Sequence, residues 1–408
     1  MKELTHEDFD YKHMEEEERP CAARIAEWIV KTLDPKNVLD VGCGPGMYVD
    51  ELLRCNVSAL GIEISDQIQK PYVRNKSLFD MTETADVVMC LEVAEHIPED
   101  RADDIVQKIA SATERILIWS AAIPGQGGVG HINCQPREYW RDKFVQQGLK
   151  YDDDCTQKCR QYISENPPYM GWFLNNVQIF RKPTVTLTIT TCKRLYSFCR
   201  TMDALKKHCK DLCTVFVVDD SSSISDRIEM QKRYPLVLIT HDTKSHARSL
   251  NIIRENIKSD YILMFEDDWV CHEDFKISDI ILDMEKNGTD NLRFNTILME
   301  DGVTRFNPDR LSHEHATWCQ QKGYILEKTE TDSGVGWPGF SLNPIMVRRD
   351  VLDEPFDESI PSGYMEFDWG IRHANKKWYG KNIGGIHHID GNESAYVLNQ
   401  THRWWDPK

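Results

Sequence analysis

The sequence has no apolar run of 18 or more residues, so it predicts no membrane-spanning helix. Its early residues, Met14-Glu15-Glu16-Glu17-Glu18 among them, are acidic and lack the basic-then-apolar order of a secretory leader. Basic residues are in deficit: 49 Lys and Arg stand against 66 Asp and Glu, for a formal charge of -17. Duplex nucleic acid and anionic membrane surfaces attract basic patches, so neither is an expected partner, although a phosphate group can still be held locally. The 13 cysteines show no paired zinc spacing and are scattered, several of them (Cys90, Cys192, Cys213) in apolar segments. An odd number without a leader predicts reduced, packing thiols. Together these absences predict a soluble, cytoplasmic protein.

What is present is an alternation of strand and helix that begins twice. With 408 residues the chain can build two ordinary cores. After a polar arm over the first twenty residues, Ile25, Ile29, Val30 and Leu33 recur at helical spacing and Asp34-Pro35 ends the helix. Val38 to Val41, Ala59 to Ile64, Asp86 to Leu91 and Ile116 to Ala121 then read as strands. The alternation restarts at Val185 to Ile189 and continues through Thr214 to Val218, Leu236 to Thr240 and Tyr261 to Phe265. Arg181-Lys182-Pro183 marks the seam, with no Gly/Ser linker, giving expected domains 1–182 and 183–408.

In the first half, Val38-Leu39-Asp40-Val41 runs into Gly42-Cys43-Gly44-Pro45-Gly46 and on into a helix from Tyr48 to Leu53. Glycines allow the tight turn and let a ligand approach backbone N–H groups. Glu63 falls near the end of the second strand, where Rossmann-like sheets place a ribose partner. The turn departs from G-x-G-x-x-G spacing, which weakens a nicotinamide reading. This constellation resembles the class I S-adenosylmethionine-dependent methyltransferases. The resemblance implies that Asp40, Gly42, Gly44 and Gly46 cradle the methionine end, that Glu63 holds the ribose and that Asp80 contacts the adenine. Strand four leads into Glu92-Val93-Ala94-Glu95-His96. In a helix beginning here, Glu92 would share a face with Glu95 or His96. These groups, with His131, could hold a divalent ion; alternatively Glu92 and His96 only frame the cofactor pocket, or His96 is a metal-free general base. Either way the methyl acceptor is expected to be oxygen.

In the second half, Tyr261-Ile262-Leu263-Met264-Phe265 stops at Glu266-Asp267-Asp268. Three crowded carboxylates beyond a parallel strand repel one another unless a cation sits among them, and Mg²⁺ or Mn²⁺ could also bridge nucleotide phosphates. Alone, such a triplet is better read as an acidic turn. Its companions are Thr190-Thr191-Cys192-Lys193-Arg194 and Asp219-Asp220-Ser221 at earlier strand tips. The set resembles the GT-A nucleotide-sugar glycosyltransferases of family 2 over most of 184–392. By that resemblance Thr190, Arg194, Asp219 and Asp220 surround base and ribose, and Arg248 and Asn251 lie near the diphosphate. It also implies metal ligation by Asp268, then Asp267, with His388 as a further ligand. Glu366 takes the place of the catalytic base and Asp368 stands behind it. Trp337 to Pro344 resembles an acceptor-side wall.

The fold expected is therefore α/β in two domains, a Rossmann-like class I methyltransferase sheet followed by a GT-A nucleotide-sugar-binding α/β domain. The function expected is that of a bifunctional glycan-modifying enzyme, using S-adenosylmethionine, a nucleotide-sugar donor, Mn²⁺ or Mg²⁺, and a glycan or saccharide acceptor. Alternatives are a methyltransferase acting on an unrelated small molecule or RNA end, or one domain serving only to bind.

Overall fold

The computed structural model describes residues 10–168, 171–294, 313–324, 342 and 344–373, with backbone alone at 303–304, 362–363, 378–380 and 387–388. The chain divides into two compact units, Met1–Pro183 and Thr184–Lys408.

The first unit is a seven-stranded sheet. Its strands are β1 (Asn37–Val41), β2 (Ser58–Glu63), β3 (Val73–Asn75), β4 (Ala85–Leu91), β5 (Thr113–Ser120), β6 (Lys150–Tyr151) and β7 (Gln178–Arg181), in the order 3-2-1-4-5-7-6. β1 to β5 are parallel; β7 runs antiparallel to β5 and to β6. The order reverses between β1 and β4, and a crevice opens beyond the strand ends at such a switch point. Alternate residues of β4 feed two layers. Val87 and Met89 pack with Ile25, Trp28 and Ile29. Val88 and Cys90 pack with Ile105 and Ile109 of α3 (Ala102–Ala112) and with Trp140 and Phe144 of α4 (Arg137–Gln146).

The polar arm expected before Cys21 is a helix from Tyr11 onward. α1 spans Tyr11–Trp28 and closes in a wider π turn, Ile29–Leu33. Asp10 caps it by accepting from the His13 N–H at 3.1 Å. Ion pairs tie it to its neighbours. Arg19 pairs with Glu15 and reaches Asp50 at 2.9 Å and Glu51 at 3.1 Å on α2 (Met47–Arg54), and Lys70 meets Asp50 at 2.8 Å. Partners 20 to 32 residues away leave no trace in local periodicity.

The second unit has an eight-stranded sheet in the order β10-β9-β8-β11-β15-β13-β16-β14. β8 (Val185–Thr191), β9 (Thr214–Asp220), β10 (Val237–His241) and β11 (Tyr261–Glu266) form its parallel part. α7 (Leu195–His208), α8 (Ile224–Arg233) and α9 (His246–Asn256) connect them. β15 (Ile345–Arg348) runs antiparallel to β11, followed by β13 (Asn291–Arg293), β16 (Trp378–Gly380) and β14 (Val303–Thr304). β11 is buried on both faces, as its unbroken apolar run requires. Leu263 and Phe265 pack with Phe198 and Met202 of α7, and with Ile280 and Met284 of α10 (Ile277–Asn287). Ile262 and Met264 pack with Leu250 and Ile253 of α9, and with Met365 and Trp369 of α12 (Ser362–Arg372). A separate two-stranded ribbon joins β12 (Trp269–Val270) to β17 (His387–His388).

All 13 cysteines carry free thiols. Among the described residues no helix is long and apolar enough to cross a membrane.

Candidate active sites at two strand edges

The carboxyl end of β1 enters a turn in which Gly42, Gly44 and Gly46 all have left-handed φ, +74°, +50° and +76°. A Cβ on Gly42 would lie 2.4 Å from Val93 Cγ2, so that position excludes any side chain. Above Gly44 the nearest side chains are Tyr11 and Met14 of α1, each 4.0 Å from where its Cβ would be. α1 thus roofs the turn. Glu63, at the end of β2, accepts from the N–H of Gly44 at 2.8 Å, the N–H of Ser65 at 3.0 Å and the hydroxyl of Tyr11 at 3.4 Å. Asp40 is buried, Oδ2 has no hydrogen-bond partner among the described residues, and burial with the nearby Glu63 pushes its carboxyl up to about 7. Asp80 is exposed at the end of a 3₁₀ turn, beside Phe79, whose ring is covered by the Arg101 guanidinium at 3.7 Å. A glycine cradle that a Cβ would fill, with two buried carboxylates beside it, fits a ligand carrying positive charge and a diol, as S-adenosylmethionine does.

The helix expected from Glu92 does not form. Glu92 takes a left-handed φ of +53°, and only one 3₁₀ turn, Ala94–His96, follows before Ile97-Pro98 forces extended backbone. Glu92 is thereby turned to Asn176, which donates to its carboxylate at 3.0 Å, and to Gln126, which donates at 2.8 Å. It stands outside the group of donor atoms from Glu95, His96 and His131, which lie within 4.8 Å of one another. Glu92 lines the crevice beside that group, held by the two amides and in electrostatic contact with Glu95.

Glu95 is 0% exposed, and neither of its oxygens has a hydrogen-bond partner among the described residues. Burial, then the neighbouring Glu92, raises its carboxyl to about 8. His96 Nδ1 lies 3.1 Å from Gly130 O and His131 Nδ1 lies 3.4 Å from Gln126 O. Donation to those carbonyls puts the lone pair of each ring on Nε2, the arrangement of a metal-ligating histidine. Burial also lowers the His96 pKa, favouring the neutral ring. The loop is fixed on Glu95, whose carbonyl accepts from Ile132 N and Asn133 N at 2.8 and 3.0 Å. Gly128 leaves room for the His131 ring: a Cβ there would lie 2.2 Å from His131 Nε2 and push the ring aside.

In the second unit the register brings Thr190 beside Glu266, Thr191 beside Asp219 and Asp220 beside His241, all at the carboxyl edge of the parallel strands. The triplet does not act as three equal ligands. Asp267 is 0% exposed; it accepts from Thr191 Oγ1 at 2.6 Å, and Arg194 pairs with it. Arg194 Nη1 also reaches Asp268 Oδ2 at 2.7 Å. Asp267, expected as a second metal ligand, is paired with Arg194. Glu266 is half-buried, and burial together with Asp268, Glu366 and Asp267 raises its carboxyl well above the usual range. Glu266, Asp268 and Glu366 crowd together closely enough to raise the Glu266 carboxyl, a donor set that fits a divalent ion, with Arg194 standing in as cation.

Glu366 faces this cluster from α12, in electrostatic range of Glu266 and Arg293, and accepts from Leu342 N at 3.2 Å. Asp368 does not accompany it. Asp368 is buried, accepts from Tyr324 OH and pairs with Arg372 at 3.1 Å, so it holds structure. His388 lies opposite Trp269 in the β12–β17 ribbon, one residue from Asp268; its side chain is outside the described residues. Asp219 is held by Arg227 at 2.6 Å, and Asp220 by Ser221 Oγ at 2.8 Å and Lys244 N at 3.0 Å. The two residues expected near the diphosphate have partners elsewhere. Asn251 is buried and uses its amide on Phe356 backbone and Glu358, and Arg248 pairs with Glu255 at 3.3 Å and Glu358 at 3.6 Å. Both side chains serve α9 packing, because the helix turns that face to the 353–358 segment. The aromatic stretch Trp337 to Pro344 lies outside the described residues except at 342 and 344.

Sequence reading missed Tyr11, Gln126, Asn176 and His246. His246 opens α9 with Nε2 3.4 Å from Thr190 Oγ1 and 4.0 Å from Glu266 Oε1, and burial beside Arg194 lowers its pKa to about 4. Its one local signal was its place after Ser245, the helix cap, just past a strand.

Comparison with known proteins agrees unit by unit. Residues 12–115 match the family model of a methyltransferase domain, and residues 186–354 match that of glycosyl transferase family 2. No curated protein matches the chain. Among solved structures, magnesium protoporphyrin IX methyltransferase from Synechocystis PCC 6803 is 20% identical over 40% of this chain and 79% of its own, with a TM-score of 0.30. S. aureus TarS is 14% identical over 52% of this chain and 62% of its own, with a TM-score of 0.36. A mannosyltransferase from Pyrobaculum calidifontis, in complex with GDP-Man and Mn²⁺, is 13% identical over 49% of this chain and 55% of its own, with a TM-score of 0.33.

Proposed function

Because the chain joins a methyltransferase domain to a family 2 glycosyl transferase domain, we propose that it modifies one glycan twice, by sugar transfer and by O-methylation. The observation that carries this reading is that each unit presents its own set of chemical groups at the carboxyl edge of its parallel strands. Covalent linkage raises the concentration of one site relative to the product of the other, which favours consecutive reactions on one acceptor.

S-adenosylmethionine, when bound, supplies an electrophilic methyl group on sulfur. Gly42, Gly44 and Gly46 keep the backbone bare for it, Asp40 and Glu63 offer carboxylates to its ammonium and ribose groups, and Asp80 lies on the adenine side. The acceptor is a sugar hydroxyl, which must lose its proton as the methyl group is transferred. Glu95, His96 and His131 would hold a divalent ion; such an ion lowers the pKa of a hydroxyl near it. Asn176 and Gln126 fix Glu92 as the neighbouring wall. The metal-free alternative leaves His96 Nε2 to take the proton, and chelation decides between them.

In the second unit Thr190, Asp219 and Asp220 border the base and ribose of a nucleotide-sugar donor. Asp268, with His388, would hold Mn²⁺ or Mg²⁺, which neutralises the leaving diphosphate. Glu366 takes the proton of the acceptor hydroxyl as it attacks the anomeric carbon, and attack from the face opposite the leaving group inverts configuration.

The test is a two-label assay. Full-length protein is given methyl-labelled S-adenosylmethionine, a panel of labelled nucleotide sugars with Mn²⁺, and oligosaccharide acceptors. One product carrying both labels is expected. Methyl label on a compound that never accepts sugar would instead assign the methyltransferase to an unrelated substrate.

A further inference from the structure

The acidic triplet of the second unit already has a cation, and that cation belongs to the protein. Arg194 follows β8 and extends its guanidinium along the tip of β11. Nη1 is 2.7 Å from Asp268 Oδ2, Nε is 3.2 Å from Asp267 Oδ2, and Nη2 pairs with Asp267 Oδ1. Asp267 is immobilised: Thr191 Oγ1 donates to its carboxylate at 2.6 Å and Thr201 Oγ1 to its carbonyl at 2.9 Å. Arg194 is thus fixed at its Asp267 end, while its other end lies on the carboxylate that the glycosyltransferase reading gives to the ion.

A guanidinium and a divalent ion on one carboxylate repel each other, most strongly where water is scarce. Among the other groups facing this point, Glu266 and Glu366 add negative charge that offsets part of this repulsion, but neither frees Asp268 Oδ2 from the guanidinium, and His246, half-buried near Thr190 and Glu266, adds no negative charge. A nucleoside diphosphate does relieve it, because its oxygens can bridge the ion and accept from the displaced guanidinium, bidentate if they meet its fork.

We propose that Arg194 is the resident counter-cation of the triplet and the element that makes ion binding depend on nucleotide. Without nucleotide Arg194 holds Asp268; with nucleotide it releases Asp268 to the ion and moves its Nη1 donor to the diphosphate, keeping Asp267. This rests on the glycosyltransferase reading of the second unit. By linkage the ion must strengthen nucleotide binding by the same factor that nucleotide strengthens ion binding.

The experiment measures Mn²⁺ binding by electron paramagnetic resonance on the full chain, alone and with UDP, GDP, ADP or CDP. A His131→Ala background removes the candidate ligand set of the first unit. Nucleotide is expected to tighten Mn²⁺ binding about tenfold or more in the parent protein, within the usual range of such coupling. Arg194→Met should bind Mn²⁺ alone about tenfold more tightly than the parent, with little further gain from nucleotide. Arg194→Lys keeps a charge for Asp267 but cannot span both aspartates. It should show an intermediate gain, and it serves if the Met variant melts without cooperativity. Mn²⁺ affinity that is unchanged in Arg194→Lys and in any folded Met variant overturns the proposal, as does a parent protein indifferent to nucleotide. A parent that binds neither Mn²⁺ nor any of the four nucleotides sinks the glycosyltransferase reading, and this inference with it.

Discussion

The two strand edges use the same position in an α/β sheet in opposite ways. The first is built largely of backbone: three left-handed glycines, the bare space Gly42 keeps beside Val93, and Glu63 spent on the Gly44 and Ser65 amides. The second is built of side chains, with Glu266, Asp268 and Glu366 crowded around a pair, Arg194 and Asp267. Under the proposed function, the difference follows the charge of what each site holds. A sulfonium cofactor is itself cationic, so buried carboxylates complement it directly. A nucleoside diphosphate is anionic, so carboxylates at its site are useful only through a cation between them.

The comparison breaks most sharply at Asp268 and Glu366. Asp268→Asn should lower sugar transfer on the order of 10²-fold or more, with Mn²⁺ no longer improving nucleotide binding. Glu366→Gln should lower transfer by a similar factor and leave nucleotide affinity intact, since only the proton acceptor is lost. Affinity and rate measured on both variants separate the roles. Normal transfer by Glu366→Gln would move the base elsewhere, and Asp368, tied to Arg372 and Tyr324, is poorly placed to replace it.

On the backbone side, Gly42→Val is expected to abolish S-adenosylhomocysteine binding in calorimetry while sugar transfer continues. A branched side chain at φ +74° is strained, and its first carbon already overlaps Val93. Retained binding would show that the turn is not the cradle. Glu63→Ala should be milder. Loss of a charged hydrogen-bond acceptor weakens binding by about 10- to 100-fold, and the Gly44 amide loses its tether as well.

The smallest effect concerns neither site. Arg115 grips Asp86 in two places, at 2.7 and 2.6 Å, and holds its carboxyl below the usual range. A depressed carboxylate contributes stability above its unfolded pKa of about 3.9 and loses it as pH falls through the folded value. Thermal melts of the first unit should therefore weaken below about pH 4, and Asp86→Asn should flatten that slope slightly, since Arg115 is partly exposed and screened. An unchanged acid profile would remove the pair from the account.

Much of this molecule was legible in its sequence because the signals are local. β11 is an unbroken apolar run and is buried on both faces. The turn after β1 is glycine at every left-handed position. The acids stand at strand ends by their place in the chain, and the halving of the chain shows as a restart of the alternation. None of those inferences needs to know what lies across space.

Tertiary structure decided which of the plausible residues meet. Glu92 is turned toward Asn176, 84 residues on, by a left-handed backbone. Asn251 is engaged by Phe356 and Glu358, and Asp368 by Tyr324 and Arg372. Tyr11 gained its place over Gly44 through ion pairs from α1 to Asp50 and Glu51. Arg194 found Asp267 and Asp268 across more than 70 residues. Periodicity and turn chemistry fix where a backbone goes; which carboxylate is spent on an arginine and which is left for an ion depends on long-range charge pairing, and that is settled only when the strands are side by side.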